Sequence, residues 1–185
     1  MKSCIAFGRI LLPVVVAFVV GACVSPVKVV SGLSDEEISK IGVNSIRVEA
    51  GEAPVDPALQ PELQAALEKH LNHCATGENK RDIVVKVDNF KRRNPGAVIL
   101  LGDTNNLAGP VFIVSPNDKN RVLAEYYVDE LQSGGGLIGL ALLSAPEKNL
   151  SNGFAKKICT RIFKRPGVGD QVSQAPSGSS QGTPR

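Results

Sequence analysis

The run Ile10 to Ala22 is almost uninterrupted apolar sequence and ends in the small residues Gly21 and Ala22 just before Cys23. No other feature constrains the fold as much, because this run has to belong to a membrane, to a core, or to neither. As a helix it would reach only ~20 Å at ~1.5 Å per residue, against a hydrocarbon core of ~30 Å. Pro13 also interrupts it. Lys2 and Arg9 lie in front of it and no acidic residue precedes Asp35, which is the layout of a cleaved export signal. Residues 1–22 are therefore set aside, and the fold is to be read from residue 23 onward.

The four residues Val20-Gly21-Ala22-Cys23 resemble the lipobox of bacterial lipoproteins. That resemblance implies cleavage before Cys23, a diacylglycerol on its sulfur, and three acyl chains in the mature protein. One chain binds a bilayer marginally, whereas two or more hold it stably. Val24 stands where enterobacterial lipoproteins destined for the inner membrane carry aspartate. The resemblance thus implies an outer-membrane anchor facing the periplasm, with the inner membrane as the alternative. The competing reading is an ordinary signal peptide that leaves Cys23 a plain thiol.

Charge and cysteine content follow from this division. Two of the three excess positive charges, on Lys2 and Arg9, leave with the signal, so no general electrostatic attraction to nucleic acid is expected. Cys4 leaves as well. With Cys23 acylated, Cys74 and Cys159 remain, and in an oxidising compartment a lone pair is read first as a disulfide. Two separate buried thiols are the alternative.

Along the chain, residues 23–42 read as anchor and tether, with a capping box at Ser34 and Glu37 opening a helical turn from Asp35 to about Ile41. Val43 to Ala50 alternates as a strand. Leu59, Leu63, Ala66, Leu67, His70, Leu71 and Cys74 recur on one helical face. Asp82 to Arg92 reads as a strand, Ala97 to Leu101 is an unclassified apolar run, and Gly102 to Asn106 is a polar turn. Ala108 to Ser115 and Arg121 to Leu131 form a hairpin around Pro116 to Asn120. A last helix opens at Pro146, with Leu150, Phe154, Ile158 and Ile162 on one face and Cys159 on its flank. Residues 164–185, rich in Pro, Gly, Ser and Gln, are expected to be a disordered tail. Residues 43–163 are thus expected to form one α+β domain, β-α-β-β-β-α. About four mostly antiparallel strands would carry two helices on one face.

This order of elements is similar to that of small bacterial envelope lipoproteins of unknown function. The shared pattern runs from Asn89-Phe90-Lys91-Arg92 through the hairpin to Gly134-Gly135-Gly136-Leu137 and the last helix. It implies an export address and a fold, and no activity. In architecture alone the chain also resembles the lipoprotein subunit of the lipopolysaccharide translocon, but it has Val24-Ser25 where that family commonly has a Gly-aromatic pair.

Candidate chemistry is sparse. His70, His73 and Cys74 crowd one helix end, but a metal site would need further ligands that a Cys74 to Cys159 bridge would remove, so neither metal nor cofactor is expected. The run Gly134 to Gly136 lacks the Lys-Ser or Lys-Thr of a phosphate loop and reads as a turn feeding the apolar segment Leu137 to Leu143 into the core, the alternative being a hinge that presents that segment to a partner or the membrane surface. Lys91, Arg92 and Arg93 could bind anionic head groups in two-point geometry. No nucleophile motif occurs, and catalysis is not expected. The expected role is a non-catalytic, lipid-anchored accessory or assembly module, its partners the membrane and an envelope protein or anionic lipid. The alternatives are a lipid or lipopolysaccharide handling module, and a metal-binding or redox protein using His70, His73 and the two thiols.

Overall fold

The computed structural model describes residues 27–51, 56–92, 103–134 and 145–169. Its elements in chain order are β1 (Lys28–Ser31), α1 (Asp35–Ser39), β2 (Ile41–Ala50), α2 (Leu59–Cys74), β3 (Asn79–Val87), β4 (Asn89–Lys91), β5 (Asp103–Ser115), β6 (Asp118–Gly134) and α3 (Pro146–Arg161). The strands form one six-stranded sheet in the order β1-β6-β5-β3-β2, with β4 paired to β5.

The fold is α+β, but the expectation of about four strands and two helices is overturned. The sheet is mixed, because β2 and β3 run parallel while the other pairs are antiparallel. The parallel pair follows from the β2-α2-β3 crossover, in which the helix carries the chain back to the end where β2 began. Three helices are present among the described residues, since the turn at the Ser34 capping box is closed into α1.

The additional strands have local causes. The expected strand from Asp82 to Arg92 is split because Pro110 has no N–H to give the ladder. β3 pairs with β5 only as far as Val85 opposite Val111, and β4 resumes with Asn89 opposite Ala108. Residues 103–106 extend β5 instead of turning: Asn106 Nδ2 donates to Asp129 Oδ1 across the ladder, and Lys91 pairs with Asp103, so the polar side chains find partners within the sheet. β1 occupies what reads in sequence as tether. All four of its residues are exposed, and backbone pairing with β6 holds it.

Helices α2 and α3 cover one face of the sheet. Leu59, Leu63, Leu67 and Leu71 of α2 and Leu150, Phe154 and Ile158 of α3 meet Ile83, Val85, Val111, Ile113, Ala124 and Val128 from the strands, all of them buried. Each such side chain contributes about 1.5–3 kcal/mol by leaving water. The domain also runs past residue 163. Arg165 donates to Cys74 O, Thr76 Oγ1 and Ser39 O, so residues 164–169, expected in the tail, pack onto the ends of α1 and α2. No helix among the described residues is long and apolar enough to cross a membrane.

Candidate binding surface

The two cysteines meet. Cys74 at the end of α2 and Cys159 in α3 form a disulfide with a Cα to Cα distance of 5.6 Å. Both are buried, which follows from their places on the core-facing stripes of helices that share a sheet face. In the bridged form neither sulfur is available as a thiolate ligand for a metal.

His70 is buried beside it and held on both ring nitrogens. Val168 N–H donates to Nδ1 at 3.1 Å, so Nδ1 carries no proton and Nε2 is the protonated nitrogen. Nε2 then donates to Asn152 Oδ1 at 3.1 Å, and Asn152 is oriented by donating its own amide to Lys148 O. A ring fixed in this way is a structural link between α2, α3 and the residues after α3. His73 lies on the exposed side of α2. Among the described residues no three of His, Cys, Asp and Glu converge as metal ligands.

Lys91 and Arg92 pair with internal acids. Lys91 Nζ lies 2.8 Å from Asp103 Oδ1. The Arg92 guanidinium reaches Asp56 Oδ2 at 3.0 Å and Glu147 Oε1 at 2.7 Å, and it stacks over the Phe90 ring. Arg92 thereby ties β4 to the starts of α2 and α3. Arg93, Cys23, Gly135, Gly136 and the segment Leu137 to Leu143 lie outside the described residues.

The feature sequence reading missed is the second face of the sheet. Strand alternation that sends Ile83 and Val85 to the helices sends Val84 the other way, and cross-strand pairing sets it between Arg47 and Phe112. The next row pairs Ser45, Asp82, Val114 and Val122. Arg47, Glu49, Val84, Lys86, Phe112, Val114 and Val122 together line a shallow groove of 360 Å³. Its floor is apolar, its rim is charged, and Lys86 Nζ sits 5.4 Å from the centre of the Phe112 ring. Asp82, buried at one end, accepts hydrogen bonds from Asn44 Nδ2 at 2.7 Å and Ser45 Oγ at 2.8 Å. Among the described residues no helix covers this face. The sequence signal was the run Ile83-Val84-Val85, apolar on both parities, as strands with two apolar faces are.

No family profile and no curated protein matches the sequence. Among solved structures, a PelC dodecamer from Paraburkholderia phytofirmans shares 10% identity over 75% of this chain and 98% of its own, with a TM-score of 0.47. A second crystal form of that dodecamer gives 9% identity over 75% and 97%, with a TM-score of 0.46. A chain from Caulobacter crescentus described as a candidate lipoprotein gives 11% identity over 70% and 92%, with a TM-score of 0.34. At these levels the comparisons assign no function to this chain.

Proposed function

We propose that this protein is a lipid-anchored, non-catalytic envelope protein that acts as an accessory or assembly module, binding another envelope component through the groove on the sheet face away from α2 and α3. The observation that carries the reading is a groove in which Phe112 and the exposed Val122 stand over the buried Val84 and Val114, ringed by Arg47, Glu49 and Lys86. An apolar floor inside a charged rim is the composition of a protein contact surface, in which burial supplies affinity and the rim sets register. The anchor reading is supported by Val20-Gly21-Ala22-Cys23. The disulfide supports folding in an oxidising compartment.

The test is site-specific photo-crosslinking in intact cells. A photoreactive side chain at Phe112 is expected to trap one discrete neighbour, and the same group at Glu68, on the exposed side of α2, to trap none. Charge introduced by Val122→Asp, at the exposed end of the groove, with Phe112→Glu should abolish the adduct while leaving acylation at Cys23 unchanged. Equal labelling from both positions would overturn the groove as the contact surface.

A further inference from the structure

From the structure we infer a membrane-apposed surface. The edge made by β1, the β1–α1 turn and the end of α3 rests on the anionic bilayer that holds the anchor, with Val29 and Val30 in the interface and Lys28, Arg161 and Lys164 against lipid phosphates. This inference rests on the acylation of Cys23.

Reach comes first. Lys28, the first residue of β1, is five residues on from Cys23, and a chain extends at most ~3.6 Å per residue, so the start of β1 lies within about 18 Å of the acylated residue. The edge nearest the anchor is also where apolar surface is left open. Val29 is 60% exposed and Val30 54%, the two largest values among the exposed large apolar residues described. A register shift between Val29 and Ser31 leaves Val30 outside the ladder with β6, so two neighbouring side chains stand out together. Valines in water at the end of a short lipid tether are matched by an acyl-glycerol boundary.

Beside them lies a cleft of 380 Å³ floored by Val27, Leu33, Ile38, Tyr126 and Ile162. Arg161 and Lys164 form part of its wall, and Asp35 is the acid that shares it. Several cations elsewhere are matched: Lys40 with Glu36, Lys91 with Asp103, Arg92 with Asp56 and Glu147, Lys157 with Glu130. Among the described residues Lys28, Arg161 and Lys164 form no ion pair, and all three are exposed. Lys164 further sits at φ 54°, a left-handed conformation for which glycine is the ordinary choice. A lysine kept there against backbone strain points to its charge as what the position requires.

The chain contains no tryptophan, which supplies the experiment. The full-length protein, acylated in its host and reconstituted into vesicles of phosphatidylethanolamine and phosphatidylglycerol, would carry either Val30→Trp or, on the far sheet edge, Glu49→Trp. With lipids brominated just below the glycerol, the indole from Val30→Trp is expected to lose emission and the one from Glu49→Trp to keep it. Replacing phosphatidylglycerol by phosphatidylcholine, or combining Arg161→Glu with Lys164→Glu, should reverse that loss. Lys164→Gly relaxes the backbone, so it should leave thermal stability equal or higher while weakening the dependence on anionic lipid. A purely structural lysine would leave the lipid readout unmoved and would count against the inference. Equal emission from both indoles in a protein whose mass shows acyl groups on Cys23 would overturn this surface and leave the anchor standing. A mass without acyl groups would overturn the anchor and the surface together.

Discussion

Tyr126 shows how one residue couples two parts of the molecule. It belongs to β6, pairs with Val29 of β1, and puts its phenol into the cleft below the β1–α1 turn. Burial raises the phenol above its usual value, the Leu33 backbone opposes that shift, and Asp35 adds to it. The sign of the stability effect follows. Below pH ~10 the phenol is neutral in both states, and above it the unfolded chain ionises first, so stability is lost as pH rises toward the folded value. With two tyrosines in the chain, alkaline denaturation followed by phenolate absorbance, compared with Tyr126→Phe, isolates this contribution. The variant is expected to lose less stability above pH ~10 than the parent. Identical alkaline limbs would show that the phenol is not held back by burial. Glu37 shifts the opposite way, held low by the Ser34 side chain and then by the Ser34 backbone N–H. That capping box was legible from the S-x-x-E spacing alone.

At the scale of elements, the helices were legible and the sheet only in part. α2 and α3 announce themselves because a 3.6-residue apolar stripe over 16 residues has no other stable use. β1 and β4, four and three residues long, are too short to carry a period, and what fixes them is pairing with distant sequence. The break between β3 and β4 was written in Gly109-Pro110, but on the partner strand, where reading β3 alone could not find it. Gly109 is the more demanding of the two. A Cβ there would lie 1.9 Å from Lys86 O, against backbone that cannot rotate away. Gly109→Ala is accordingly expected to cost about 3 kcal/mol, the upper end of overpacking, and to show as a lower urea midpoint. A change below about 1 kcal/mol would mean that the two strands can separate there without penalty, contrary to this geometry. The candidate surface was equally indirect, since which face of the strands the helices occupy, and so where Phe112 and Val122 stand, is decided by packing and not by local sequence.

For the whole molecule, the disulfide decides how its halves stay together. The sequence before residue 75 supplies β1, α1, β2 and α2, and the later sequence supplies the remaining strands and α3, so the bridge from Cys74 to Cys159 spans 85 residues. Closing a loop of that length removes unfolded-state entropy worth about 4 to 5 kcal/mol, less any strain in the native state. Domains of this size hold only about 5–15 kcal/mol in total, so the bridge is a large share of the margin. Arg165 adds a second link on the same side, reaching Cys74 O at 3.2 Å and Thr76 Oγ1 at 2.6 Å, which fixes the residues just after α3 beside the end of α2. Reduction should therefore do more than lower the urea midpoint. It should loosen the end of α3, with it Lys164, and thus weaken the lipid contact before the sheet face is affected. Cys74→Ser with Cys159→Ser is expected to lose about 3 kcal/mol or more in urea unfolding, with protection of the amides in 158–168 falling ahead of those in β5. Loss of protection at β5 and α3 together would show instead that the bridge supports the domain as one cooperative unit, with no separate role at its membrane-facing edge.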